Sequence, residues 1–195
     1  MRRRRGLRAR VAILVGLATL CALASVADGG ASGSRASLIF SVGEARGVMA
    51  QYHPSAYMAT RLPPRIGWVD VGGGCQGLGP GAPACYARLE YNDRRTGGRS
   101  AFQAAFFSGH LKARIVKALR AHDGRFGSQT TFTAGKFSGV RERQWNKAFK
   151  VGGVDTYVWE YKTETYLIQH RFTNSGAVEY PGFVPRSVIA SYAPV

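Results

Sequence analysis

The chain has 195 residues, with 27 Lys and Arg against 11 Asp and Glu and a formal net charge of +16. Its 45% hydrophobic and 11% aromatic content excludes an intrinsically disordered chain, which lacks the apolar side chains to bury. The length suits one domain with a real core, and a concentrated positive charge points to anionic partners.

The first ten residues carry Arg2, Arg3, Arg4, Arg5, Arg8 and Arg10 and no acid. Val11 to Ala27 then run without a charge and end on Ser25 and Ala27. A basic stretch, an apolar stretch and small-x-small residues, in that order, make up a cleavable export signal. The alternative, an uncleaved N-terminal anchor, would need about 20 apolar residues, more than this run supplies. A lipid anchor at Cys21 is disfavoured because Leu20 stands where a small residue is needed. Arg4-Arg5-Gly6-Leu7 has only the beginning of a twin-arginine signal. The expected organisation is therefore a signal peptide over 1–27, a flexible spacer over 28–34 and one domain over 35–195, working outside the cytoplasm. Loss of residues 1–27 would leave 21 basic and 11 acidic residues.

Leu38, Val42, Ala45, Met49 and Tyr52 recur at helical spacing, with Ser34 placed to cap the start, although Leu38 to Val42 also reads as a strand. His53-Pro54 ends that element. Cys75 and Cys85 flank a Gly/Pro-rich stretch, and two cysteines this close in an exported chain are expected to form a disulfide. Gly72-Gly73-Gly74 has no Lys-Ser or Lys-Thr after it, so it is read as a turn beside the disulfide and not as a phosphate loop.

Tyr86 to Asn92 alternates, Asp93 to Gly98 is a polar turn, and Phe102, Ala104 and Phe106 alternate again, which predicts a hairpin. An amphipathic helix is predicted over about 109–123, with Leu111, Ile115, Ala118, Leu119 and His122 on one stripe and Arg114, Lys117 and Arg120 opposite. Ser108 and Gly124 are its expected caps. Gln129 to Ala134 and Phe137 to Arg143 read as strands bent near Gly135 and Gly139. Thr156 to Tyr161 and Thr165 to Phe172 form a second hairpin around Lys162 to Glu164, rich in residues that suit a pleated surface. A short helix after Pro185 would carry Val188 and Ile189. The sum is one α+β domain with a mainly antiparallel sheet.

Thr60-Arg61-Leu62-Pro63 ahead of a Gly-Trp pair, the run from Gly153 to Tyr161, and the terminal Ile189-Ala190-Ser191-Tyr192 give residues 56–193 a recognisable layout. It resembles small exported bacterial domains of unknown function, similar to extracytoplasmic parts of envelope-associated and anti-sigma-linked proteins. The resemblance implies an antiparallel α+β fold and no known chemistry.

Motifs for catalysis are missing. Gly30-Ala31-Ser32-Gly33-Ser34 lacks the last glycine of a nucleophile elbow. His110 and His122 are twelve residues apart on the predicted helix, about 120° out of phase, so they do not converge on a metal. His53 stands alone, and His170 reads as a sheet-surface residue. No catalytic residue, metal or cofactor is assigned. Glu90, Glu142, Glu160 and Glu164 read as solvated strand acids; a fold that gathered two acids in one cleft would instead support a secreted hydrolase.

The charge distribution is the informative anomaly. Residues 112–150 hold ten Lys or Arg against Asp123 and Glu142, with Trp145 and Phe149 among them. Arg114, Lys117, Arg120, Arg141, Arg143, Lys147 and Lys150 are the candidate polyanion-binding residues, provided that they share a face. The expected role is a non-catalytic exported module that binds an anionic envelope polymer, a lipid surface or a protein partner. A structural domain without ligand is a further alternative. Nucleic acid is not the expected ligand, since no recognised binding motif is present.

Overall fold

Alternation of apolar and polar residues governs most of the chain after Trp68, and it produces a broad antiparallel sheet. The structure, a computed structural model, describes residues 38–78, 81–121, 127–145 and 152–195. The expected signal peptide and spacer, Ser34, His122, Gly124, Lys147, Phe149 and Lys150 lie outside the described residues.

In chain order the elements are β1 (Leu38–Ser41), α1 (Val42–Tyr52), β2 (Tyr57–Ala59), β3 (Trp68–Gln76), β4 (Ala84–Asn92) and β5 (Ser100–Ser108). They continue with α2 (Lys112–Ala121), β6 (Gly127–Ala134), β7 (Phe137–Trp145), β8 (Gly153–Tyr161), β9 (Glu164–Phe172), α3 (Pro185–Ala190) and β10 (Tyr192–Pro194). Eight strands form one sheet in the order β1-β3-β4-β5-β9-β8-β7-β6, and β10 pairs with β2 in a separate ribbon. Every pairing is antiparallel. The fold is α+β, dominated by the sheet.

Register assigns each side chain to a face. Tyr91 opposes Phe102, Ala104 opposes Ile168, and Tyr157 opposes both Ile168 and Arg141, so these residues share the first face. Their buried apolar side chains join Ala45 and Met49 of α1, Met58 of β2, Val188 and Ile189 of α3 and Tyr192 of β10 in the main core. On the second face a smaller core gathers Phe107, Val158 and Leu167 beneath Ile115 of α2 and Leu78 of the β3–β4 loop.

Local chemistry explains where the structure departs from the sequence reading. The helical spacing from Leu38 breaks at Ser41, which builds a capping box with Glu44: Glu44 N–H donates to Ser41 Oγ at 3.3 Å, and Ser41 N–H donates to Glu44 Oε2 at 2.9 Å. Leu38, Ile39, Phe40 and Ser41 itself pair with β3 as a strand. Ser108 ends β5 and does not cap α2. The helix is received by the β8–β9 hairpin instead: Leu111 N–H donates to Thr165 Oγ1 at 2.8 Å and Lys112 N–H to Glu160 Oε1 at 3.0 Å.

Gly72, Gly73 and Gly74 are not a turn; they lie within β3, paired with Arg88, Ala87 and Tyr86. A β-carbon at Gly73 would stand 2.8 Å from the Tyr86 carbonyl oxygen, which explains the residue's size. Gly139 likewise lies inside β7, where a β-carbon would collide with the Val158 carbonyl, so it marks a close approach of strands. His170 is buried on the first face, 4% exposed, against Tyr157 and Phe183. Glu142 and Glu164 are also buried, contrary to the solvated reading.

Candidate functional site

Cys75 and Cys85 are register partners at the loop end of the β3–β4 hairpin and are joined by a disulfide with their α-carbons 3.8 Å apart. Strand pairing brings the two sulfurs together. The loop that they close places Leu78 in the second-face core, and its Ala82 carbonyl accepts a hydrogen bond from Arg114 Nη2 at 3.0 Å. Disulfide, loop and helix are thereby tied into one unit.

The predicted basic cluster divides between the two faces. Arg114, Lys117 and Arg120 ride on α2, over the second face. Arg114 holds the Ala82 carbonyl, and Arg120 Nε pairs with Glu142 at 3.2 Å. Lys112 pairs with Glu160 at 3.8 Å. Lys117 is exposed and has no ion pair among the described residues. Arg141 and Arg143 project from the opposite side of the sheet, because they flank Glu142 in a strand and alternate with it. The described cations therefore do not form one face. Lys147 and Lys150 lie outside the described residues.

Arg141 and Arg143 have a different role. Asp155, 1% exposed, accepts from Arg141 Nη2 at 2.6 Å and from Arg143 Nε and Nη2, each at 2.8 Å. Arg143 also lies over the Phe172 ring at 4.2 Å, and Arg141 over Tyr157 at 5.7 Å. Burial opposes ionisation of Asp155, yet the hydrogen bonds from Arg143 and Arg141 outweigh it and hold the carboxyl below its ordinary range. His170 Nε2 sits 3.6 Å from the same carboxylate. Burial holds the imidazole below its ordinary range, against the hydrogen bond to the Arg171 carbonyl and the pull of Asp155. Sequence reasoning missed this network. Its available signals were an acid inside the apolar run Val154 to Trp159 and two arginines spaced by two in a facing strand.

A cleft of about 270 Å³ opens where β5 and β9 part. The two strands pair from Ser108–Glu164 to Gln103–Gln169 and no further. Beyond that point the returning chain takes the place beside β9, with Val178 bridging Phe172 and Glu179 N–H donating to the Arg171 carbonyl at 3.0 Å. The cleft is lined by Glu90, Gln103, Gln169, Arg171, Arg99 and Glu179. By alternation, Glu90, Gln103, Gln169 and Arg171 occupy the second face, away from the Phe107–Leu167 end of β5 and β9 that packs with α2. Two guanidinium groups offset two carboxylates, and two primary amides lie side by side across the ladder. Such a lining can donate and accept hydrogen bonds in many directions without a strong net field. None of the predicted site residues lines the cleft; of its lining, the sequence reads Glu90 as a solvated acid and His170 as a sheet-surface residue.

Among the described residues no group of three or more His, Cys, Asp or Glu could hold a metal ion. No helix among them is long and apolar enough to cross a membrane. Compared with protein-family models, with curated proteins and with solved structures, the chain matches none.

Proposed function

We propose that the chain is an exported, non-catalytic module that binds a component of the cell envelope through the cleft at the β5–β9 fork. The observation that carries this reading is the cleft's lining. Gln103 and Gln169 are register partners beside Glu90, with Gln169 Nε2 donating to Thr156 Oγ1 at 3.0 Å, and Arg171, two residues along β9, lines the cleft with Arg99 and Glu179. Balanced charges and paired amides suit a neutral, hydroxyl-rich ligand, whose many donors and acceptors need partners of both kinds. The saccharide part of an envelope polymer has that chemistry. The basic, apolar and small-residue leader and the Cys75–Cys85 disulfide support a place outside the cytoplasm.

The test is calorimetric titration with soluble oligosaccharides released from the cell wall, at physiological salt. Binding that is lost in Gln103→Leu with Gln169→Leu, in a protein of unchanged melting temperature, supports the reading. No heat with any wall saccharide would end it.

A second reading has one observation in its favour: Glu90 and Glu179 reach the same cleft from distant parts of the chain. Two carboxylates flanking a bond are the working parts of a glycosidase. Release of new reducing ends from the same oligosaccharides, abolished by Glu90→Gln or Glu179→Gln, would select the hydrolase over the binding module.

A further inference from the structure

We propose that β6 is the self-association edge of this protein, adding antiparallel to β6 of a second copy across a two-fold axis and doubling the eight-stranded sheet. Among the described residues the strand is last in the sheet order and pairs only with β7. Its first five residues, Gly127 to Thr131, are exposed on both faces, so neither covering layer reaches them. Only Phe132 and Ala134 are buried, near the end where α3 packs. Among the described residues no hydrogen bond reaches β6 from its outer side.

An edge of this kind carries a row of unpaired N–H and C=O groups, and monomeric proteins blunt such edges with charge, proline, bulges or brevity. β6 has none of these. Its eight residues, Gly-Ser-Gln-Thr-Thr-Phe-Thr-Ala, contain no charged residue and no proline, and its ladder with β7 runs from Gly127–Gln144 to Ala134–Phe137 without a shift. The opposite edge, β1, is only four residues long and runs directly into α1. The two edges are thus treated differently within one sheet.

Absence of charge also identifies the partner. Around a two-fold axis a self-paired antiparallel strand sets the residue on the axis opposite its own equivalent and its neighbours close to theirs, so a cation near the axis would meet a like charge. In a chain of net charge +16, an eight-residue edge without a single Lys or Arg fits a second copy of itself. With the axis at Thr131, that residue would meet its own equivalent, Gln129 would meet Thr133 and Thr130 would meet Phe132 of the second copy, with β-branched threonine suited to the pleat.

Ladder geometry names the residues that matter. A two-residue turn joins Ala134 to Phe137, so that pair exchanges both hydrogen bonds, and the backbone groups of Gln129, Thr131 and Thr133 point away from β7. Thr131 lies at the centre of the free edge. The inference is independent of the cleft and of its ligand.

Sedimentation equilibrium of the purified chain should show a monomer–dimer equilibrium. Thr131→Lys, which leaves the backbone intact, should weaken the dimer about tenfold through like charges near the axis. Thr131→Pro, which deletes an outward N–H, should give a monomer of similar circular dichroism. Amide exchange of Gln129, Thr131 and Thr133 should slow only as the dimer forms. A monomer at every soluble concentration, a dimer indifferent to Thr131→Lys, or amides already slow in the monomer would each overturn the proposal.

Discussion

The two faces of the sheet use the same residue types for different ends. On the first face aromatic rings stack in series: Tyr91 on Phe102 at 4.3 Å, Phe102 on Phe183 at 5.0 Å, and Trp159 on Tyr166 at 5.5 Å. Two helices and the β2–β10 ribbon close over them. On the second face one helix covers Phe107, Val158 and Leu167, and the rest stays polar and open. Charge divides in the same way. Arg141 and Arg143 are drawn to a buried acid on the first face, whereas the cations of α2 stand over the second. The comparison teaches that a cation's role follows from the face it occupies, and that its neighbours in sequence do not settle the matter.

Removing Asp155 attacks the first face at its charged end, and it should have the largest effect. Asp155→Ala leaves two half-buried guanidinium groups side by side without their counter-ion. Breaking a buried ion pair by deleting one partner costs about 3–5 kcal/mol. Urea unfolding should read a loss of that order. A loss below about 1 kcal/mol would mean that solvent compensates the arginines and that the first face does not depend on the network.

The second face is tested through the loop that the disulfide closes. Cys75→Ser with Cys85→Ser frees the loop that carries Leu78 and the Ala82 carbonyl, and in the chain-entropy model a loop of this length contributes about 3 kcal/mol. The doubly substituted protein should melt lower, and amide exchange should quicken around Leu78 and the start of α2 while the aromatic core keeps its protection. Uniform loosening of both faces would contradict their separation.

A gentler probe uses pH. The unfolded chain protonates His170 near 6.5, while burial holds the folded imidazole lower. The unfolded state therefore binds the proton first as pH falls below about 6.5, and stability declines from there toward the lowered folded value. Asp155, also lowered, adds a loss in the same direction at more acid pH. His170→Phe should flatten the melting temperature between pH 7.5 and pH 5.5. An equal decline in both proteins would show that His170 has no part in it.

Much of the fold was legible in sequence because alternation is local. Both hairpins, the amphipathic helix, the C-terminal helix and the cysteine pair all leave their mark within about ten residues. The strand with three glycines was not legible, because the reason for Gly73 is the Tyr86 carbonyl on the neighbouring strand. The cleft escaped for a similar reason. Its residues come from β4, the β4–β5 turn, β5, β8, β9 and the chain beyond β9, and sheet order makes them neighbours. The basic cluster failed in the opposite way, since closeness in sequence suggested a shared face that strand alternation and helix placement divide. The Asp155 network rests on cross-strand register, which period-2 patterning alone does not fix.

The smallest expected effect belongs to the charge that the comparison leaves without a structural role. Lys117 is exposed and unpaired among the described residues, while Lys112 and Arg120 have acids and Arg114 has a carbonyl. Surface substitutions away from special features fall within about 0.5 kcal/mol, so Lys117→Glu should leave the melting temperature nearly unchanged. Its effect on anionic membranes should be equally slight. A Lys or Arg near an anionic membrane surface is worth about 1 kcal/mol, and at physiological ionic strength the field decays within roughly 8 Å. Arg141 and Arg143, turned to the other side of the sheet and held by Asp155, cannot add to it. Sedimentation with vesicles containing phosphatidylglycerol should therefore find little binding at physiological salt, before or after the substitution. Strong, salt-sensitive binding that Lys117→Glu removed would restore α2 as a polyanion surface, and the second face would then carry two functions, one on the helix and one in the cleft beside it.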